Sequence, residues 1–233
     1  MSKKTRLDVL LVEQGYLESR QKAQAVIMSG NVFVAGQRID KPGTAVLNEA
    51  EIEVRGHVLR YVSRGGLKLE KAMKSFPITL EGKICADIGA STGGFTDCLL
   101  QRGASLVYAV DSGHNQLDPS IESNKKVISI EKYNAKFMQA EDFPCQFDLA
   151  VMDVSFISQT LILPSLPALL VDDGIAVTLI KPQFECGREA VGKGGIIKKP
   201  EYRIRAVRSV ASAAEACGLH LIDLIKSPIQ GGD

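Results

Sequence analysis

Residues Ile84 to Phe95 read Ile-Cys-Ala-Asp-Ile-Gly-Ala-Ser-Thr-Gly-Gly-Phe, and no other stretch of the 233-residue chain narrows its fold so far. A short apolar run ends near an acidic residue, a glycine-rich turn follows, and a helical pattern then begins. Strand, turn and helix in that order open a unit of parallel sheet. Gly89, Gly93 and Gly94 carry no side chain, so a ligand can lie against bare backbone at the strand tip. Asp87 is expected to aim a fixed negative charge at that ligand. Such a charge repels a phosphate and welcomes an ammonium group or ribose hydroxyls.

The rest of the C-terminal part alternates in the same way. Its spacing predicts a helix over 96–102 closed by Gly103, and strands over 106–110, 127–130, 147–152, 175–180 and 219–225, with a helix over 200–217. Continuous apolar runs separated by helices mean a parallel sheet covered on both faces, so the fold class is α/β and Rossmann-like. Asp87, Asp111, Asp153 and Lys181 all fall at the carboxyl ends of strands, where such sheets bind ligands.

Three kinds of chemistry compete for the glycine turn. The dinucleotide fingerprint needs glycines at spacings of two and three, and Gly89, Gly93 and Gly94 do not provide them. Gly89-Ala-Ser91-Thr-Gly93 matches a hydrolase nucleophile elbow. That reading needs an acid and then a histidine on later loops; His114 precedes the plausible acids and His220 opens an apparent strand. The third reading has the turn hold the methionine end of S-adenosylmethionine. Asp111 then grips the ribose hydroxyls and Asn134 meets the adenine side.

The N-terminal part is a small basic module. Leu7, Leu10 and Leu11 recur at helical spacing up to Gly15; Ser19 caps a second helix, with Ala23, Val26 and Ile27 apolar, that ends at Gly30. Short strands are expected over 31–34, 37–39 and 51–54. With a net charge of only +1, attraction to a polyanion has to come from local clustering. Lys3, Lys4, Arg6, Arg20, Lys22, Arg38 and Lys41 supply it. The stretch from Arg6 to Gly36 resembles the alpha-L RNA-binding motif of ribosomal proteins and pseudouridine synthases. That resemblance implies docking on structured RNA through phosphates and shape. Domains are expected at 1–55 and 67–233, joined by a basic linker over 56–66 that includes Arg60 and Arg64.

Composition excludes several classes. Five scattered cysteines without a Cys-x-x-Cys pair, and three dispersed histidines, argue against a structural metal and a disulfide framework, and favour the cytoplasm. The longest apolar stretch, 161–171, contains Pro164 and Pro167 and is too short to span a bilayer, so no membrane role is expected.

The modules also occur in a telling order. An alpha-L module, Ser63-Arg-Gly-Gly-Leu-Lys68-Leu, Asp87 through Phe95, Asp153-Val-Ser-Phe-Ile-Ser158 and Lys181-Pro-Gln-Phe-Glu185 together resemble the hemolysin A (TlyA) family. These are FtsJ-like ribosomal RNA 2′-O-methyltransferases. The resemblance implies S-adenosylmethionine as cofactor, held by Asp87, Gly89, Ser91, Gly93, Gly94, Phe95, Asp111 and Asn134, and ribosomal RNA or ribosomal subunits as partner. It implies a Lys-Asp-Lys-Glu tetrad, whose first three members fall on Lys68, Asp153 and Lys181. The fourth, a glutamate on a final strand, has no counterpart, Glu185 lying outside the matching motif; an ordered native protein is therefore expected to continue beyond Asp233. A lysine of ordinary pKa near 10.4 is neutral less than about one time in a thousand at pH 7, so a lysine base needs neighbouring positive charge. Lys181 is the expected base, and Lys68 and the cofactor sulfonium the charges. The loop 187–195, with Lys193, is expected to be mobile and near the site, and the cations Lys198, Lys199, Arg203, Arg205 and Arg208 are secondary candidates for phosphate contact. The alternatives are a non-catalytic RNA-binding or ribosome-assembly protein and a membrane-active hemolysin.

Overall fold

A computed structural model describes residues 4–17, 19–55, 60–187, 190–197 and 199–229. The chain forms two compact units, Met1–Leu59 and Arg60–Asp233. In the first, β1 (Lys4–Arg6) leads into α1 (Leu7–Glu13) and then α2 (Arg20–Met28). The Ser19 hydroxyl accepts the Lys22 amide at 3.3 Å and so starts α2. Two short strands follow, β2 (Val32–Val34) and β3 (Gln37–Ile39), then β4 (Ala45–Leu47) and β5 (Ile52–Val54). β2 is central between β3 and β5, and β1 pairs with β4, all antiparallel. Leu7, Leu10, Leu11, Ala23, Ile27, Val32, Val46 and Ile52 form one buried cluster between helices and strands. The β1–β4 pair was not expected, because three residues are too few to show an alternation.

The second unit begins with α3 (Gly65–Ser75) and β6 (Ile84–Ile88). The order then runs α4 (Gly94–Gln101), β7 (Leu106–Val110), α5 (Pro119–Glu122), β8 (Val127–Ile130) and β9 (Phe147–Met152). It closes with α6 (Leu166–Leu169), β10 (Leu170–Thr178), α7 (Pro182–Glu185) and α8 (Pro200–Ala216). The sheet is parallel throughout, in the order β10-β9-β6-β7-β8. The chain steps outward from β6 to β8 and then returns to the other side of β6. The carboxyl ends of β6 and β9 are therefore the topological switch point, where a crevice opens. Successive residues serve opposite faces. Tyr108, Ala150 and Met152 join one core, whereas Val107, Leu149 and Val151 join the other. On the first face Phe147, fully buried, meets Phe143 at 5.0 Å and Tyr108 at 5.4 Å between ring centroids. Losing such an aromatic costs about 3–5 kcal/mol.

Three expectations need correction. Residues 219–225 form no strand, and Leu221, Ile222 and Leu224 are exposed. An extended segment becomes a strand only by pairing, and β10, the nearest sheet edge by chain order, pairs with β9 alone among the described residues. β10 itself starts at Leu170 and changes register between Leu170 and Ile175. Within that register change Asp173 adopts a positive φ of 61°. Residues 60–66, expected within the linker, lie in the second unit, where Tyr61 is a core residue.

Candidate active site

The glycine turn is built by close approach. Gly89 has φ of 85°, and a methyl group at its Cα would stand 2.9 Å from the Asp153 carbonyl oxygen, so only glycine lets the two strand tips touch. The Gly89 amide donates to Val110 and the Asp153 amide to Ile88, which carries the sheet ladder to its last rung. The same device brings in α3. A methyl at Gly94 would come within 2.2 Å of Ser63 Oγ and 2.9 Å of the Gly66 amide, so the helix N-terminus packs directly on the glycine turn. Lys68, one turn into α3, is thereby delivered to the strand ends.

There the three tetrad candidates converge. Lys68 Nζ lies 2.9 Å from Asp153 Oδ2, and Lys181 Nζ lies 2.6 Å from Asp153 Oδ1. Lys181 also donates to Ser155 Oγ at 2.8 Å. All three side chains are largely buried, at 23%, 15% and 18% exposure for Lys68, Asp153 and Lys181. Beside them Phe156 stands 92% exposed, with φ of 63°, and its ring meets Phe184 at 5.3 Å. The two phenylalanines, with Ile157, Ser158, Gln183, Gly187 and Val191, line a cleft of about 480 Å³. Each phenylalanine stands three residues after a tetrad residue, Asp153 or Lys181, a repeat that was visible in the sequence and passed over.

On the other side of the switch point, Asp111 accepts the Ser91 amide at 2.8 Å and the Gly113 amide at 2.7 Å. Each carboxylate oxygen so keeps a lone pair for a ribose hydroxyl. The Tyr133 amide donates to the Asp111 carbonyl, which places Asn134 next to this end, where its side chain caps a short turn at Lys136. Two residues differ from expectation. Phe95 is not on the turn surface but in the core with Leu69 and Cys98. Asp87 is not an open charge: it is fully buried and accepts Thr96 Oγ1 at 2.7 Å. Burial pushes its carboxyl up to about 7, against the pull of Thr96 and with help from the negative Asp153 and Asp111. Its Oδ1 has no hydrogen-bond partner.

These features fit S-adenosylmethionine. The carboxylate of Asp111 beside the glycine turn opposes a phosphate and suits ribose hydroxyls, and the orphan oxygen of buried Asp87 is of the kind that a cationic group such as a sulfonium or an ammonium satisfies.

The first unit gathers Arg6 and Arg20 on one buried carboxylate. Asp8 accepts Arg6 Nε and Nη2 at 3.0 Å each, Arg20 Nε at 3.0 Å and Gln24 Nε2 at 2.8 Å. Sequence reasoning missed Asp8, since nothing in its spacing shows which cations it will hold. Lys4, Arg38 and Lys41 are exposed, with the Arg38 guanidinium lying over Gly30. Lys22 supplies the amide that Ser19 caps, while Lys3 and Lys198 lie outside the described residues. In the second unit Arg64 is exposed and Arg60 pairs with Glu70 at 2.8 Å. Arg203 and Arg205 donate to the carbonyls of Ile197 and Cys186, so both tie the 186–197 segment to α8.

Residues 61–233 match the FtsJ-like methyltransferase family. The chain belongs to the FtsJ-like methyltransferases. Residues 5–52 of this methyltransferase match the S4 domain. It is 40% identical over 232 residues to the 16S/23S rRNA (cytidine-2′-O)-methyltransferase TlyA of Mycobacterium tuberculosis, covering 99% of this chain and 87% of that one. Identity to Hemolysin A of Brachyspira hyodysenteriae is 46%, covering 97% and 94%. A solved structure from Streptococcus thermophilus that carries a hemolysin name has a TM-score of 0.75 at 46% identity, covering 100% and 85%. As an FtsJ-like methyltransferase the chain is an enzyme, and its cofactor is S-adenosylmethionine. No helix among the described residues is long and apolar enough to cross a membrane, and no group of His, Cys, Asp or Glu there could hold a metal ion.

Proposed function

We propose that this enzyme methylates a ribose 2′-hydroxyl of ribosomal RNA, with Lys181 as general base. The observation that carries the reading is the sharing of one carboxylate, Asp153, by two ammonium groups, Lys68 and Lys181, at the switch point of the sheet. S-adenosylmethionine supplies the methyl group from its sulfonium. The difficulty lies with the acceptor, because a ribose hydroxyl is a poor nucleophile until its proton is taken. Lys181, with Asp153 and Ser155 fixing its Nζ, would accept the hydroxyl proton and so leave the ribose oxygen free to act as the nucleophile. Lys68 holds Asp153 from the opposite side. Gly89 to Gly94 and Asp111 would hold the methionine and ribose ends of the cofactor, with Asn134 at the adenine side.

The acceptor side supports RNA. Phe156 and Phe184 offer an exposed aromatic platform of the kind on which an unstacked base rests. Arg6 and Arg20 have side chains that are 52% and 54% exposed while fixed on Asp8, an arrangement suited to phosphate. Lys4, Arg38, Arg60 and Arg64 extend the cationic surfaces of their respective units.

The test is to map 2′-O-methylation on ribosomal RNA incubated with the wild type and with Lys181→Ala. Lys181→Ala should slow methyl transfer by about 100-fold or more, the usual contribution of a general base, with cofactor affinity near normal. Undiminished turnover in that variant would remove Lys181 from the mechanism.

A further inference from the structure

Glu185, the last residue of α7, takes no part in the Asp153–Lys181 cluster. Its carboxylate accepts the Ser158 hydroxyl at 2.5 Å and the Gln159 amide at 2.9 Å. Ser158 Oγ is in turn 2.7 Å from Thr160 Oγ1. Gln159 is buried, at 1% exposure, and its side-chain amide donates to the Leu179 carbonyl, two residues before Lys181. These bonds fasten the far end of the segment 153–160 to the segment 179–185. The near end is fastened by Lys181 on Asp153 and Ser155.

Phe156 stands between the two fastenings. A bulky aromatic at φ of 63° is strained, and it keeps that conformation only while its flanks are over-determined. Freed at one end, the loop relaxes and the ring leaves its place beside Phe184. Each oxygen of Glu185 accepts one hydrogen bond from the loop, from Ser158 and from the Gln159 amide.

We propose that Glu185 is a positioning residue for the acceptor: it holds Phe156 in its strained place at the cleft, where the ring receives the base of the nucleotide being methylated. This rests on the RNA-methylating reading above. The clamp acts on acceptor binding and leaves the Asp153–Lys181 pair alone.

The experiment is steady-state methylation of ribosomal RNA by the full chain carrying Glu185→Ala, Glu185→Gln, Phe156→Ala or the Glu185→Ala/Phe156→Ala pair, with cofactor affinity measured by calorimetry. Glu185→Ala should raise KM for RNA about tenfold, with kcat and cofactor affinity within about threefold of wild type. Glu185→Gln keeps an acceptor for the Gln159 amide and gives Ser158 a donor, so it should restore KM to within about threefold. In the Phe156→Ala background the loss of Glu185 should add less than about twofold, because the ring it positions is gone. A fall in kcat at constant KM, unchanged kinetics in Glu185→Ala, or a full multiplicative loss in the double variant overturns the proposal while the wild type still methylates. A wild type inert on ribosomal RNA overturns the functional reading itself, and this inference with it.

Discussion

Two buried aspartates show how one side chain serves opposite ends. Asp8 and Asp87 are both inaccessible to solvent. The Arg6 guanidinium beside Asp8, helped by Gln24 and Arg20, holds that carboxyl well below the usual carboxylate range. Asp87 lies among apolar strands with one hydroxyl partner, and burial drives it up to about 7. The signs for stability are opposed. Asp8 stabilises the fold above the ordinary carboxylate pKa near 3.9 and loses this as pH falls below it. Asp87 binds its proton more tightly when folded, so its contribution is full below that value and is lost as pH rises to about 7. Raising pH from 5 to 8 should therefore lower unfolding stability by up to about 3 kcal/mol through Asp87, and the slope should flatten in Asp87→Asn. Denaturant unfolding at several pH values reads this directly, and parallel curves for the two proteins would reject it. Cofactor binding should follow the same titration. If the cationic cofactor meets the ionised carboxylate, affinity rises with pH through about 7, and calorimetry in buffers of different ionisation enthalpy detects the released proton.

At the scale of elements, the site depends on how closely strand tips and helix ends approach. Gly89→Ala combines a positive φ with a methyl 2.9 Å from the Asp153 carbonyl. It should cost about 1–3 kcal/mol of stability and, by moving Asp153 against the lysines, lower kcat by about 100-fold. Thermal unfolding and methylation measured on the same preparation check both numbers. Loss of stability with full activity would separate the turn from the catalytic cluster. Much of this layer was legible. The apolar runs of β6, β7, β8 and β9 gave their limits residue for residue, because each is a short run rich in strand-forming apolar residues bounded on both sides by polar, charged or glycine residues. The strand-end positions of Asp111, Asp153 and Lys181 were legible for the same reason. What sequence hid were contacts between distant loops. Glu185 shows no role in the sequence until Ser158 and Gln159 come to it, Asp87 reads as an open charge until α4 covers it, and 219–225 reads as a strand although it pairs with none.

At the scale of the whole molecule, the phosphate contacts proposed for Arg6 and Arg20 and the methyl transfer proposed at Lys181 fall in separate compact units, so they should respond separately to mutation and to salt. The first unit has a buried apolar cluster of nine residues and a carboxylate hub that fixes two arginines without neutralising both. Pre-fixed guanidinium groups lose little side-chain freedom on meeting phosphate, which favours affinity without adding contacts. Replacing Arg6 and Arg20 together by alanine should weaken RNA binding at low salt and reduce the slope of log affinity against log salt by about 1.5 to 2, one unit or slightly less for each lost phosphate contact. Cofactor affinity, set in the second unit, should not move. Removing Asp8 instead, as Asp8→Ala, keeps both positive charges but frees them. Affinity should then fall while the salt slope stays near that of the wild type, because the count of charges that meet phosphate is unchanged. Filter binding to ribosomal RNA across a salt series distinguishes the two outcomes. Equal slopes for wild type and the double arginine variant would show that these guanidinium groups meet no phosphate, and would shift the RNA-binding surface to Lys4, Arg38 and Lys41 or to the second unit's Arg60 and Arg64.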